Sequence, residues 1–219
     1  MTEAKSVLIV DDHPIVRHGL SQLIDQEEGL TTCGAAGTAE EGLEMLEEHR
    51  PAIALIDISL KDSSGIELIK QIRSKGFEMP LLVLSMHDEA LYAERALRAG
   101  ANGYVTKQQA DETVIEAIHK VLAGDMYVSS EISDQMLKQY IGGGDAGEEA
   151  GIERLTDREL EVFELIGEGL SSQQIADRLG LSIKTVEVHR GHIKKKLELE
   201  RPSQVIQHAV RWVERRKMP

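Results

Sequence analysis

The chain has 219 residues, 41% of them apolar and 29% charged, with a formal net charge of −13 and a single cysteine. That composition belongs to a globular protein of one large domain or two small ones, and a charge so negative ordinarily argues against nucleic acid as a partner. Apolar runs of only a few residues exclude a bilayer-spanning helix, "MTEAKSVLIV" lacks a secretory core, and Cys33 excludes an internal disulfide; together these predict a cytoplasmic protein with no membrane partner.

Taken in chain order, "SVLIVDD" (6–12) reads as a strand of apolar, largely β-branched residues ending in two adjacent aspartates. "PIVRHGLSQLIDQ" (14–26) follows with apolar residues at helical spacing and Pro14 at the first helical position. Strand patterns recur in "LTTCGAA", "AIALIDI", "PLLVLSM" and "NGYVTK", and helical ones in "TAEEGLEMLEEH", "GIELIKQIRSK", "EALYAERALRAG" and "DETVIEAIHKVLAG". Strands alternating with helices imply right-handed crossovers and a five-stranded parallel sheet covered on both faces, a doubly wound α/β fold. Cys33, with no His or Cys at ligand spacing, reads as a small buried hydrophobe.

In such a sheet the functional crevice lies at the carboxyl ends of the strands. The first strand ends in Asp11 and Asp12, the third in Asp57 and the fourth in Ser85, while Lys107 directly follows the fifth. Singly, each has a plainer reading: a helix cap before Pro14, a turn aspartate, a solvated lysine. On one rim, the carboxylates suit a hard divalent cation that keeps some of its waters, which describes Mg2+. One carboxylate can then act as nucleophile toward a phosphoryl group, with lysine and metal neutralising the transferring oxygens and the serine hydroxyl sensing the product.

Residues 5–123 resemble the receiver domain of bacterial two-component response regulators, which is flavodoxin-like. The resemblance rests on "IVDDHP", "LIDISLKDSSG", "VLSMHD" and "GANGYVTK". It implies that Asp57 accepts phosphate from a histidine kinase, and that Asp11, Asp12 and Asp57 hold Mg2+ with the backbone carbonyl of Ser59. It further implies that Ser85 bonds the phosphoryl group, Lys107 pairs with it and Tyr104 swings inward as the switch. Ser59 and His87 lie beside the site, where they would tune the lifetime of the phosphate, and Gln108 stands where the family often has proline.

Residues 124–152 read as a connection. "SSEISDQMLKQY" (129–140) has the pattern of an amphipathic helix that could pack on either domain or between two chains. "GGGDAGEEAG" (142–151) reads as a flexible tether of glycine and mutually repelling acids. The charge changes across it. Residues 152–219 carry 13 Lys+Arg and 11 Asp+Glu, a net of +2, whereas the rest of the chain carries 12 and 27, a net of −15.

The tail, 153–219, has no strand pattern and reads as a small all-α domain. Thr156 begins T-x-x-E, a capping box, and "SSQQIADRLG" is a short helix closed by Gly180. Ser182 caps the next helix after the break "GLS", a spacing that fits a helix-turn-helix whose second helix enters the major groove of double-stranded DNA. At 100° per residue Val186, His189, Ile193 and Leu197 share the core face of that helix, with His189 expected as a hydrogen-bonded packing residue. Lys184, Glu187, Val188, Gly191 and Lys195 form the opposite face, where Val188 suits a thymine methyl and Gly191 permits close approach. Thr185 sits beside them, and Arg190, Lys194, Lys195 and Lys196 are placed to hold phosphates.

"LTDREL…EGLSSQQIADRLGLSIKTVEVHRGHIKKKL" resembles the LuxR-type DNA-binding domain of the NarL/FixJ regulators. The resemblance makes "PSQVIQHAVRWVERR" the dimerisation helix; Trp212 within it is either core or interface. The whole then reads as a DNA-binding transcriptional regulator in which phosphoryl transfer to Asp57 favours a homodimer on promoter DNA. Two alternatives stand beside it. One is an Mg2+-dependent aspartyl-phosphate phosphohydrolase with a helical interaction module, although Ser59 occupies the place of the second acid such enzymes use. The other is a DNA-binding regulator that has lost control by phosphorylation.

Overall fold

The computed structural model describes residues 4–61, 63–86, 89–108, 110–134, 136 and 149–217. These divide into two compact units, 1–143 and 144–219.

The first unit contains five strands, β1 (Lys5–Val10), β2 (Leu30–Ala36), β3 (Ile53–Asp57), β4 (Leu81–Ser85) and β5 (Gly103–Thr106). Its helices are α1 (Pro14–Gln26), α2 (Ala39–His49), α3 (Gly65–Ser74), α4 (Glu89–Ala99) and α5 (Ala110–Leu122). The strands pair in parallel in the order β2-β1-β3-β4-β5, the doubly wound arrangement read from the alternation. All residues of β3 and β4 are buried, which only a sheet covered on both faces requires.

The two-residue period of a strand sorts β1 between the two faces. Val7 and Ile9 join Leu20 and Ile24 of α1 and Val114, Ile118 and Val121 of α5 in one apolar cluster. Leu8 and Val10 point the other way, where Gly34 and Gly42 bring β2 and α2 into contact with them. A fully buried side chain such as Ile24 contributes about 2–3 kcal/mol, so this patterned burial is what holds the layers. Cys33 is half-buried with Sγ 3.4 Å from the Val7 carbonyl, and burial pushes its thiol pKa up, as suits a packing residue.

Beyond α5 the chain stays attached to the sheet. The Tyr104 N–H donates to the Tyr127 carbonyl at 2.7 Å and the Tyr127 N–H to the Asn102 carbonyl at 3.1 Å. Residues 130–134 are helical, with Ile132 buried and the Ser129 N–H donating to Glu89 Oε1 at 2.8 Å. The amphipathic pattern over 129–140 is therefore described only in its first turn. The sequence leaves open packing on either domain or between two chains; this first turn is bonded to Glu89 of α4 in the first unit.

The second unit is all helical: α6 (Glu149–Ile152), α7 (Asp157–Gly167), α8 (Ser172–Leu179), α9 (Ile183–Lys196) and α10 (Pro202–Lys217). The short α6 falls at the end of the stretch read as a flexible tether, where burial of Ile152 and Leu155 anchors the chain; residues 142–148 lie outside the described residues. Thr156 forms the expected capping box with Glu159, and Ser171 forms a second with Gln174, an S-x-x-Q pattern equally visible in the sequence. Gly180 closes α8 at φ 64°, and Ser182 accepts from the Thr185 N–H to open α9. Trp212 packs against Phe163 with ring centroids 5.6 Å apart and is only half-buried. Among the described residues no helix is long and apolar enough to cross a membrane.

Candidate functional site

Strand register assembles the acidic site. Val10 pairs with Ile56 and Asp57 with Leu84, while Ser85 pairs with Thr106. Asp11, Asp57, Ser85 and Lys107 therefore stand side by side at the carboxyl ends of four adjacent strands. The Lys107 N–H donates to the Ser85 carbonyl at 2.8 Å, which turns the chain so that its side chain reaches back over the rim. Its Nζ lies 2.6 Å from Asp11 Oδ2 and 2.6 Å from Asp57 Oδ2. Asp11 and Asp57 are buried, as is Ser85; Asp12 is half-buried.

Two buried carboxylates thus share one ammonium. Burial, which disfavours the charged form, pushes the Asp57 pKa from 3.8 up to about 6; Lys107 opposes the rise, Asp11 adds to it, and a hydrogen bond from the Ser59 backbone lowers it. Burial alone would lower the Lys107 pKa, but the attraction of Asp57 and Asp11 outweighs it and the net direction is upward. An ammonium held this firmly beside an aspartate still partly starved of positive charge leaves the site short of cation. Asp11, Asp12, His13 and Asp57 place their ligand atoms within 4.8 Å of one another. The donors are hard oxygens apart from one imidazole, and they fit a small hard cation such as Mg2+.

His13 was not singled out by the sequence. Its Nδ1 lies 2.7 Å from Asp12 Oδ1 and 3.3 Å from Asp11 Oδ1, and its backbone N–H donates to Asp11 Oδ1 at 2.8 Å. The plainer reading of the acid pair holds only in part: Asp11 bonds the turn that leads into α1, but the N-cap of that helix is His13 with no side-chain cap hydrogen bond, so neither aspartate caps it. Gly65 is a second omission. A Cβ built there would meet the Asp57 carbonyl oxygen at 1.9 Å, and its N–H donates to the Ile58 carbonyl at 2.7 Å. The start of α3, capped by Ser64, is pressed against the backbone that carries Asp57. The only sequence signal was the "SSG" turn. The Tyr104 ring is buried within β5. His87 lies outside the described residues.

In the second unit α9 presents the face read from helical geometry. Val186 and Ile193 are fully buried, while Lys184, Glu187, Gly191 and Lys195 are exposed. Val188 is 48% exposed, an apolar side chain in a polar face, and a Cβ at Gly191 would touch nothing among the described residues. Thr185 shares a hydrogen bond with Ser182 at 2.8 Å, and Lys194 is half-buried at the flank.

Three side chains of this helix stand in surroundings the sequence did not show. Arg190 is folded against the surface: it donates to Ser172 Oγ at 3.2 Å and lies 3.8 Å from Glu187, which itself accepts from Ser172. Lys196 is withdrawn from the basic flank because its Nζ lies 2.6 Å from Glu159 Oε2. His189 is half-buried on the core side as placed, but its Nδ1 has no hydrogen-bond partner among the described residues, contrary to the hydrogen-bonded packing role expected of it.

Comparison with known proteins matches both units. The response regulator receiver domain model covers residues 7–119, and the model of bacterial regulatory proteins of the luxR family covers 153–209. The chain is 33% identical to the nitrate/nitrite response regulator protein NarL of Escherichia coli K12, over 90% of this chain and 91% of that protein. It is 30% identical to the oxygen regulatory protein NreC of Staphylococcus epidermidis, over 94% and 96%. Among solved structures it is similar to RcsB of Salmonella enterica serovar Typhimurium bound to promoter P1flhDC in the presence of phosphomimetic BeF3−, with a TM-score of 0.60 and 27% identity over 94% of this chain and 98% of that one. RcsB is also known as two dimers bound to two parallel DNAs, matched at 26% identity and a TM-score of 0.57 over 94% of this chain and 98% of that one.

Proposed function

Because the chain belongs to the two-component response regulators that join a receiver domain to a LuxR-type DNA-binding domain, we propose that Asp57 is its phosphoacceptor and that phosphorylation controls its dimerisation on promoter DNA. The family is one of DNA-binding transcription regulators and not of turnover enzymes. The observation that carries the reading is the Lys107 ammonium, 2.6 Å from both Asp11 and Asp57 at adjoining strand ends.

Asp11, Asp12 and Asp57, with the Ser59 backbone carbonyl, would hold Mg2+. Bound there, Mg2+ supplies positive charge to the oxygens of the incoming phosphoryl group. The chain's own residues do the rest. An Asp57 carboxylate oxygen attacks phosphorus as the bond from phosphorus to the kinase's histidine nitrogen, or to the oxygen of a small phosphodonor, breaks and its electron pair leaves on that atom. Lys107 exchanges a carboxylate partner for a phosphoryl oxygen, and the Ser85 hydroxyl donates to another. Tyr104 responds to the position of Ser85 and communicates the change to the outer face of β5.

For the second unit we propose that α9 lies in the major groove. Val188 meets a thymine methyl, Lys184, Thr185 and Glu187 read or reject neighbouring positions, and Arg190, Lys194 and Lys195 hold phosphates on either side of Gly191. The RcsB dimers on DNA support a two-fold arrangement on two half-sites, which one helix needs for genome-scale specificity.

Light scattering with and without Mg2+ and beryllofluoride tests the switch. The expected result is a monomer that becomes a dimer only with both, and not in Asp57→Ala. A mass and a promoter affinity identical under all conditions would overturn it.

A further inference from the structure

The acidic rim accounts for one of two clusters of metal-ligating side chains among the described residues. The other has no part in phosphoryl transfer. It lies inside the helical unit, where the first turn of α7 crosses the middle of α9. Glu159, His189 and His192 each bring a ligand atom within 4.8 Å of the other two.

The pieces are arranged for a cation more than for each other. Glu159 is buried, and its Oε2 is already committed, accepting from the Thr156 N–H at 2.8 Å and from Lys196 Nζ at 2.6 Å. Its Oε1 faces His192 Nδ1 at 3.5 Å, long for a hydrogen bond but close to the ~3.3 Å that separates two ligand atoms on one tetrahedral Zn2+ with ~2.0 Å bonds. His189 and His192 are three residues apart, hence neighbours on one helix face. The Nδ1 of His189 is buried with no hydrogen-bond partner among the described residues, which leaves a polar atom desolvated at a cost. His192 is 59% exposed at its side chain, so one ligand can move to complete the sphere and the site is open to solvent.

We propose that Glu159 Oε1, His189 and His192 bind one Zn2+-like divalent cation that staples α7 to the DNA-facing helix α9. Two imidazoles and a carboxylate suit a borderline transition metal and not Mg2+, which separates this site chemically from the acidic rim. A solvent molecule takes the fourth position. The charges facing the cluster set its strength. Lys196 opposes the cation, while Arg158 is largely balanced by the buried Glu161 at 2.6 Å. The site is therefore a modulator of the helix packing and not a prerequisite for folding.

The test is calorimetric titration of the full, tag-free chain with ZnCl2 in excess Mg2+, which fills the hard site, alongside melting followed by the fluorescence of Trp212. That residue is the single tryptophan and reports the helical unit. The expected result is one equivalent bound with a rise in melting temperature. His192→Gln, at an exposed position, weakens binding at least about tenfold and abolishes the rise without changing the metal-free melting temperature. Lys196→Gln, which removes the opposing charge, tightens binding. Equal binding by wild type and His192→Gln, or no saturable binding in excess Mg2+, overturns the proposal.

Discussion

Replacing Asp57 with asparagine should make the receiver more stable, although it removes the carboxylate proposed to accept phosphate. The carboxyl is buried, and its pKa stands at about 6 against 3.8 for the ordinary group. That difference corresponds to ~3 kcal/mol of folding free energy lost when Asp57 is ionised. The direction follows from proton binding: between the two pKa values the folded chain holds the proton more tightly than the unfolded one, so stability falls as pH rises from about 4 through 6 and is flat above. Asp57→Asn has no such loss, and Lys107 keeps Asp11 as a partner at 2.6 Å. The gap between variant and wild type should be small near pH 4, open through pH 6 and reach at most ~3 kcal/mol at pH 7.5, about 10 °C in the receiver transition for a domain of this size. Scanning calorimetry of the full chain across that range, with and without Mg2+, measures it. Mg2+ should stabilise wild type more than the variant and so narrow the gap. A variant less stable than wild type at pH 7.5, or a gap that does not change with pH, would refute the account of Asp57 as a buried carboxylate short of positive charge.

Two further expectations concern backbone approach and groove contact. Gly65→Ala puts a methyl group 1.9 Å from the Asp57 carbonyl oxygen, so α3 or the end of β3 must shift; a loss of ~3 kcal/mol or more in urea denaturation and slower phosphorylation by acetyl phosphate are expected, and wild-type values for both would show that the contact relaxes freely. Val188→Ala should cost ~1 kcal/mol at a single base position in binding assays on systematically varied promoters, whereas Lys195→Gln should weaken all sequences alike and lower the salt slope by about 1.

The secondary structure of this chain is legible because it is written locally. A two-residue period in "VLIV", three- and four-residue spacing in "PIVRHGLSQLIDQ", and caps at Thr156 and Ser182 depend only on near neighbours along the chain. The sides of α9 follow from the same geometry, and Val186 and Ile193 are buried where the helical period put them. The strand ends carried the reading further, to a rim where acids, a serine and a lysine would meet, and motif resemblance gave those residues their expected roles.

What the tertiary structure alone decided are the contacts across that geometry. The sheet order β2-β1-β3-β4-β5 and its register bring Asp11, Asp57 and Lys107 within ion-pair distance, although Asp57 and Lys107 are fifty positions apart. Nothing near Gly65 in the sequence shows that the Asp57 carbonyl lies against it. Nor does "HIKKK" reveal that one lysine turns inward to a buried Glu159, or that Glu159 stands beside two histidines of another helix. Helical and strand periods tell which face of an element turns inward. Which charge or backbone atom waits on the far side is set by the packing of distant segments, and only the folded chain contains it.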